Sequence, residues 1–220
     1  MKRRIIKTAD GSKTIQIEDW NEQYHSKHGA VQEAYHVFIE HGLRMFDTPK
    51  LNILEIGFGT GLNALITLME SQTRNQKISY VGVEAYPVST EEVEALGYCA
   101  QLDADIFEPA FKRMHSSPWE EQIAITEHFQ LLKQQKDFKE IVDSNMFNLI
   151  YFDAFGARVQ PELWTEDIFS KMSEALMPEG ILVTYAAKGS VRRALQAVGF
   201  IVERLPGPPG KREMLRGTKK

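Results

Sequence analysis

Cys99 is the only cysteine in this chain. No internal disulfide can form, and a metal centre built on several thiolates is excluded. No apolar run approaches the roughly 20 residues of a transmembrane helix. The basic start, Met-Lys-Arg-Arg-Ile-Ile-Lys, is not followed by the apolar stretch of a secretory leader. Repeats and low-complexity segments are also missing, and a cytoplasmic protein is expected. His25, His28 and His36 lack an H-E-x-x-H frame, so no metal is expected. A nucleophile elbow is absent, which argues against covalent hydrolysis. So is G-x-x-x-x-G-K-[ST], which argues against nucleotide hydrolysis.

What is present is an ordinary globular composition. The 220 residues are 43% apolar, enough for one large domain with a small appendage. The net charge of −4 is unevenly spread. Residues 186–220 hold nine bases against Glu203 and Glu213, giving +7, and the other 185 residues carry −11. Such asymmetry builds a basic face on an acidic protein, although a solvated surface competes as an explanation.

Apolar runs alternate with helical spacing from about residue 51. Strands are predicted over Asn52–Ile56, Ile78–Glu84, His128–Lys133, Asn148–Phe152 and Ile181–Tyr185. Helices are predicted over Gly61–Glu70, from Ser89, over Glu166–Leu176 and over Val191–Val198. Asp137–Ile141 reads as a short helix, and residues 98–128 as a helical insertion or crossover. Phe200–Leu205 and Glu213–Leu215 fit a closing hairpin. Before residue 51, Thr14–Ile17 alternates like an edge strand and Gln32–Leu43 has helical spacing. The sum is an α/β fold with a mostly parallel sheet and an antiparallel C-terminal hairpin strand.

In such sheets ligands bind beyond the carboxyl ends of the strands. Gly57, Gly59 and Gly61 stand there in a G-x-G-x-G turn preceded by Glu55. This spacing differs from the dinucleotide fingerprint and resembles that of S-adenosylmethionine enzymes; a purely structural turn is the competing reading. Glu84 ends the next strand, where a carboxylate can accept both ribose hydroxyls. Asp137 can accept from an adenine amino group or can simply be a loop acid. Asp153 follows six neutral residues, so its burial is costly without a partner. It is the catalytic candidate, a carboxylate beside an amine nucleophile; a strand-end cap competes. Phe155, Trp164 and Tyr185 are candidates for stacking on a base, with the core as the alternative.

The chain resembles the MnmC-like methyltransferase family, in its stand-alone MnmD form, over nearly its full length. The resemblance rests on Tyr24-His-Ser26 with Gly29, Glu33 and His36-Val-Phe38, on Glu55-Ile-Gly-Phe-Gly-Thr-Gly-Leu-Asn63, and on Glu84-Ala-Tyr-Pro87. It continues through Phe152-Asp-Ala-Phe155 with Pro161-Glu-Leu-Trp164, Val191-Arg-Arg193, and Gly210-Lys-Arg-Glu-Met-Leu-Arg-Gly217. It implies a Rossmann-like methyltransferase fold over 51–220, with residues 1–50 as an extension contributing to the site. It implies methyl transfer from S-adenosylmethionine to the amine of 5-aminomethyl-2-thiouridine at the tRNA wobble position, giving 5-methylaminomethyl-2-thiouridine. Glu33, Glu55, Gly57, Gly59, Gly61 and Glu84 hold the cofactor in this reading, with Glu33 at its amino-acid end. Arg192, Arg193, Lys211, Arg212 and Arg216 pair with anticodon-stem phosphates. With the chain ending at Lys220, no fused oxidase is expected, and a separate upstream enzyme or an ammonium-dependent route supplies the aminomethyl group. The sequence departs from the family pattern at Ala85, Ala157 and Val159, where the family often has Lys, Pro and Lys; Arg158 stands one position away. The alternatives are a methyl- or aminopropyltransferase of the same fold acting on a small amine, and a non-catalytic nucleic-acid-binding protein.

Overall fold

The computed structural model describes residues 2–220. The chain opens with a small antiparallel sheet of β1 (Arg3–Lys7), β2 (Lys13–Ile17) and β3 (Glu22–Gln23). The helix expected over Gln32–Leu43 is only partly regular. A short α1 (Ala30–Ala34) widens into a π-helical stretch, Tyr35–Glu40, in which Val37, Phe38 and Ile39 are all buried.

The α/β body comes next, in chain order: β4 (Lys50–Ile56), α2 (Leu62–Thr73), β5 (Lys77–Val83), α3 (Thr90–Leu96), α4 (Tyr98–Gln101) and α5 (Glu108–Ser116). Then come β6 (Gln122–Ala124), β7 (Phe129–Gln134), β8 (Phe147–Phe152), α6 (Glu166–Ala175), β9 (Leu176–Thr184), α7 (Gly189–Ala197), β10 (Ile201–Pro206) and β11 (Glu213–Thr218). They form one sheet in the order β10-β11-β9-β8-β4-β5-β7-β6. The middle five strands run parallel, and β10-β11 and β6 are antiparallel additions at the two edges.

Two expectations need correction. Residues 98–128 are not helical throughout, because β6 pairs with β7 through Ile123 opposite Leu131 and closes that edge. The strand expected over Ile181–Tyr185 starts earlier, at Leu176 directly after α6, because Leu176 pairs with Phe147 and draws the chain into the sheet. Local signals are obeyed elsewhere. Ser89 caps α3 in a full capping box with Glu92, and Gly199 comes after α7 at φ +95°.

Each core strand is buried on both faces, as a parallel sheet requires. Leu51, Ile53 and Tyr151 point to the side covered by α2, and Leu54, Ile56, Ile150 and Phe152 to the side covered by α6 and α7. The two-residue period therefore decides where Glu55 goes. It shares the face of Leu51 and Ile53, beneath α2.

Candidate functional site

Strand order reverses between β4 and β8, the switch point at which open α/β sheets form a crevice. A cavity of about 450 Å³ opens there. Its floor is the turn after β4. Gly57 has φ +90°, and a Cβ on it would lie 2.8 Å from the Asp153 carbonyl oxygen. Gly59 has φ +50° and would meet the Tyr24 ring at 3.0 Å. Only glycine lets the backbone pass so close on both sides.

Glu84 lines the cavity just beyond β5. One of its carboxylate oxygens accepts the Gly59 N–H at 3.0 Å and the other accepts the Tyr86 N–H at 2.9 Å. Burial pushes its carboxyl up from the usual range, and these backbone donors pull it back. Each oxygen keeps a lone pair, which suits a vicinal diol. Asp137 lines the cavity beyond β7 and receives the Lys139 N–H at 2.9 Å.

Asp153 reaches the same cavity from the end of β8. Its backbone N–H bonds to the Ile56 carbonyl at 2.9 Å, so the sheet itself fixes its position. Its carboxylate receives the Asn63 amide at 2.9 Å. The same Asn63 nitrogen donates to Glu55 at 2.8 Å, and the Tyr80 hydroxyl donates to the other Glu55 oxygen at 2.8 Å. Loss of water and the nearby Glu33 hold the Asp153 carboxyl well above its ordinary range; Asn63 and Lys211 oppose that. Glu55 is raised chiefly by burial, against the two hydrogen bonds it receives.

The other wall comes from outside the α/β body. Trp20 enters from the turn between β2 and β3, Tyr24 and His25 from the segment just after β3, Glu33 from α1, and Lys211 from the turn between β10 and β11. Lys211 Nζ lies 2.5 Å from a Glu33 oxygen and 3.9 Å from the Tyr185 ring centre. The other Glu33 oxygen accepts the Ser26 N–H at 3.2 Å. The Tyr185 hydroxyl donates to the Ala154 carbonyl at 2.8 Å, leaving its ring on the cavity.

Of the residues singled out in the sequence, Glu33, Gly57, Gly59, Glu84, Asp137, Asp153, Phe155, Tyr185 and Lys211 line this cavity. Five do not do what was expected. Glu55 is fully buried beneath α2 and is joined to the cavity through Asn63, which it shares with Asp153. Gly61 lies just outside it, with His115 packed where a Cβ would stand. Trp164 is core, its indole N–H spent on the Phe155 carbonyl at 2.8 Å. Arg216 is nearly covered and pairs with Glu203 at 3.0 Å. Lys211 is committed to Glu33 rather than offered to a phosphate. Arg193 and Arg212 are exposed and Arg192 half-buried, all outside the cavity. α7 starts where β9 ends, so Arg192 and Arg193 stand on the cavity's end of the sheet. Sequence reasoning assigned no role to Asn63, Trp20 or His25. A buried asparagine among the apolar residues of α2 was the available signal for the first.

The chain matches the S-adenosyl-L-methionine-dependent methyltransferase family over residues 103–220. It is 30% identical over an alignment of 230 residues to the tRNA 5-methylaminomethyl-2-thiouridine biosynthesis bifunctional protein MnmC of Aromatoleum aromaticum, covering 97% of this chain and 35% of that protein. The MnmC of Pseudomonas savastanoi pv. phaseolicola is 28% identical over 221 residues, 91% of this chain and 32% of its own length. The chain thus spans about a third of these relatives. Among solved structures, MNMC2 from Aquifex aeolicus superposes with a TM-score of 0.79 at 27% identity, over 100% of this chain and 71% of that one. A spermidine synthase from Thermotoga maritima shares the fold at 13% identity, with a TM-score of 0.55 over 99% of this chain and 69% of that one. The glycine floor and the diol-ready Glu84 fit a nucleoside sulfonium donor. The chain belongs to the S-adenosyl-L-methionine-dependent methyltransferase family, is MnmC-like within it, and takes S-adenosylmethionine as its cofactor.

Proposed function

We propose that this chain methylates tRNA at the wobble uridine, converting the primary amine of 5-aminomethyl-2-thiouridine into 5-methylaminomethyl-2-thiouridine. The observation that carries the reading is the placement of Asp153, a desolvated carboxylate at the switch point with one neutral amide donor and an open side facing the cavity. S-adenosylmethionine, when bound, supplies an electrophilic methyl group. Gly57 and Gly59 give it room, Glu84 accepts its ribose hydroxyls, Asp137 its adenine amino group, and Glu33 faces its amino-acid end.

Asp153 performs two tasks in this reading. Its raised proton affinity lets it take a proton from an arriving ammonium, leaving the nitrogen neutral with its lone pair free. Asp153 passes that proton to solvent. The nitrogen lone pair then bonds to the methyl carbon as its bond to sulfur breaks, leaving S-adenosylhomocysteine as a neutral thioether, and the regenerated carboxylate stabilises the ammonium that forms. Asn63 fixes the carboxylate's orientation, and the pairing of Glu33 with Lys211 leaves Asp153 as the unpaired acid on that side. Arg192, Arg193 and Arg212 take phosphates of the anticodon arm. The target base leaves its stack to reach a carboxylate at this depth. The MnmC relatives' names support the substrate. The reaction belongs in the cytoplasm in this reading.

The test is to incubate the protein with methyl-labelled S-adenosylmethionine and tRNA carrying 5-aminomethyl-2-thiouridine, then digest and separate the nucleosides. Label in 5-methylaminomethyl-2-thiouridine is expected. Label transfer to a small amine with none to tRNA would favour the small-amine reading of the same fold.

A further inference from the structure

Arg158 occupies the loop in which the family pattern is broken, and its guanidinium does not point out to solvent unpartnered. One nitrogen donates to the Trp20 carbonyl at 3.1 Å and the Asn21 carbonyl at 3.3 Å, and lies 2.9 Å from a Glu22 carboxylate oxygen. The Asp153 loop is thereby fastened to the turn between β2 and β3, 136 to 138 positions away in the chain. That contact sets Trp20 on the cavity wall, edge-on to Phe155 with ring centres 5.6 Å apart. Phe155 is edge-on to Tyr24 as well, at 4.9 Å, and its carbonyl is held by the Trp164 indole. Three rings make a fixed aromatic corner two residues beyond Asp153.

The sheet order says which ligand this corner serves. Glu84 and Asp137 come after β5 and β7, on one side of β4; Asp153 and Phe155 come after β8, on the other. The donor's sugar and base belong with the former, so the corner lies on the acceptor side. Trp20 is half-buried and keeps surface toward the cavity. A base drawn out of its stack loses its π neighbours, and an aromatic face replaces them.

We propose that Trp20 is the surface on which the acceptor's extruded base stacks, and that Arg158 is a positioning residue that holds Trp20 there. The inference rests on the tRNA reading above. Wild-type methylation of tRNA is therefore measured first; its absence would remove that reading, whereas its presence with a silent Trp20 removes only this inference. Trp20→Ala should raise the KM for tRNA about ten-fold or more, as the loss of one stacked base predicts. Trp20→Phe should recover most of that. Calorimetric affinity for S-adenosylhomocysteine, and the melting temperature, should stay near wild type in both. Tryptophan emission should be quenched when tRNA is added to the wild type, and much less so in Trp20→Phe. Arg158→Met should raise KM in the wild-type background and add nothing to Trp20→Ala, because both remove one device. An unchanged KM and unchanged quenching overturn the stacking role. A full Arg158 effect that persists in Trp20→Ala overturns the positioning role and marks a direct phosphate contact. A Trp20→Ala variant that loses S-adenosylhomocysteine affinity as much as tRNA affinity overturns the assignment to the acceptor side.

Discussion

The cavity has two walls of different origin. One is made of strand ends, Gly57, Gly59, Glu84 and Asp153, each fixed by hydrogen bonds of the sheet or its first turns. The other is made of segments wrapped around the body, bearing Trp20, Tyr24, Glu33 and Lys211, and is held by contacts between residues far apart in sequence. The first wall treats its acids as isolated groups, supported by neutral amides and backbone N–H donors. The second cancels its acid with a lysine. In the proposed reaction the strand ends carry the charge chemistry and the donor's ribose and base, while the wrapping carries the acceptor's base and, through Glu33, the donor's amino-acid end.

The variant that separates the two walls most strongly is Asp153→Asn. The amide keeps a hydrogen bond from Asn63 but can neither take the amine's proton nor balance a new ammonium. We expect turnover to fall by about 10²- to 10⁴-fold, with affinity for S-adenosylhomocysteine within a few-fold of wild type. A matching loss of affinity would place Asp153 in the donor site instead. Glu84→Gln should do the reverse at smaller size. A charged acceptor of two hydroxyls becomes a neutral group with one oxygen, and donor affinity should drop about ten-fold or more. Calorimetry at constant salt reads this, and full tRNA affinity in the same variant would keep the walls distinct.

The first wall was legible in sequence and the second mostly was not, for a physical reason. A glycine turn and an acid at a strand's end are local patterns, because a parallel sheet places its ligand-facing loops directly after its strands. Gly57, Gly59, Glu84 and Asp153 could be placed from the apolar runs before them. Glu55 shows the limit of the same logic. It sits within the strand, so the two-residue period rather than nearness to the glycines sets its direction, and it turns beneath α2 toward Tyr80 and Asn63. Lys211, in a stretch dense with bases, read as a phosphate contact; that it reaches Glu33 across 178 positions is a tertiary fact no local pattern carries. Trp20 was passed over for the same reason, since its place depends on Arg158. β6 was lost among helical residues because three residues are too few to display a period.

Glu55 also gives the comparison an electrostatic test. Folding holds its carboxyl well above the ordinary range, mainly through burial. The unfolded chain releases that proton near pH ~4.3 while the folded one keeps it. Stability from this group is therefore complete below the unfolded value and is lost as pH rises toward the folded one. Glu55→Gln is neutral at every pH and escapes that loss. The melting temperature of the variant minus that of the wild type should rise between about pH 4.5 and about pH 7. A difference that stays flat over this range would mean that Glu55 is ionised in the fold as it is in the unfolded chain.

The smallest expected effect concerns the basic segment outside both walls. Nine bases look equivalent in sequence, but their surroundings differ. Arg193 is exposed on α7 at the cavity's end of the sheet, while Arg216 is nearly covered and paired with Glu203. A phosphate contact releases counterions only if the cation is free to make it. Arg193→Ala should weaken tRNA binding a few-fold and reduce the slope of log affinity against log salt by about one. Arg216→Ala should leave that slope unchanged and show its loss, if any, in the melting temperature, because the strand pair β10-β11 loses an ion pair. A slope lowered by Arg216→Ala and untouched by Arg193→Ala would mean that the acceptor's backbone crosses the sheet edge and not the end of α7, and the wrapped wall would then face a tRNA approaching from a different side.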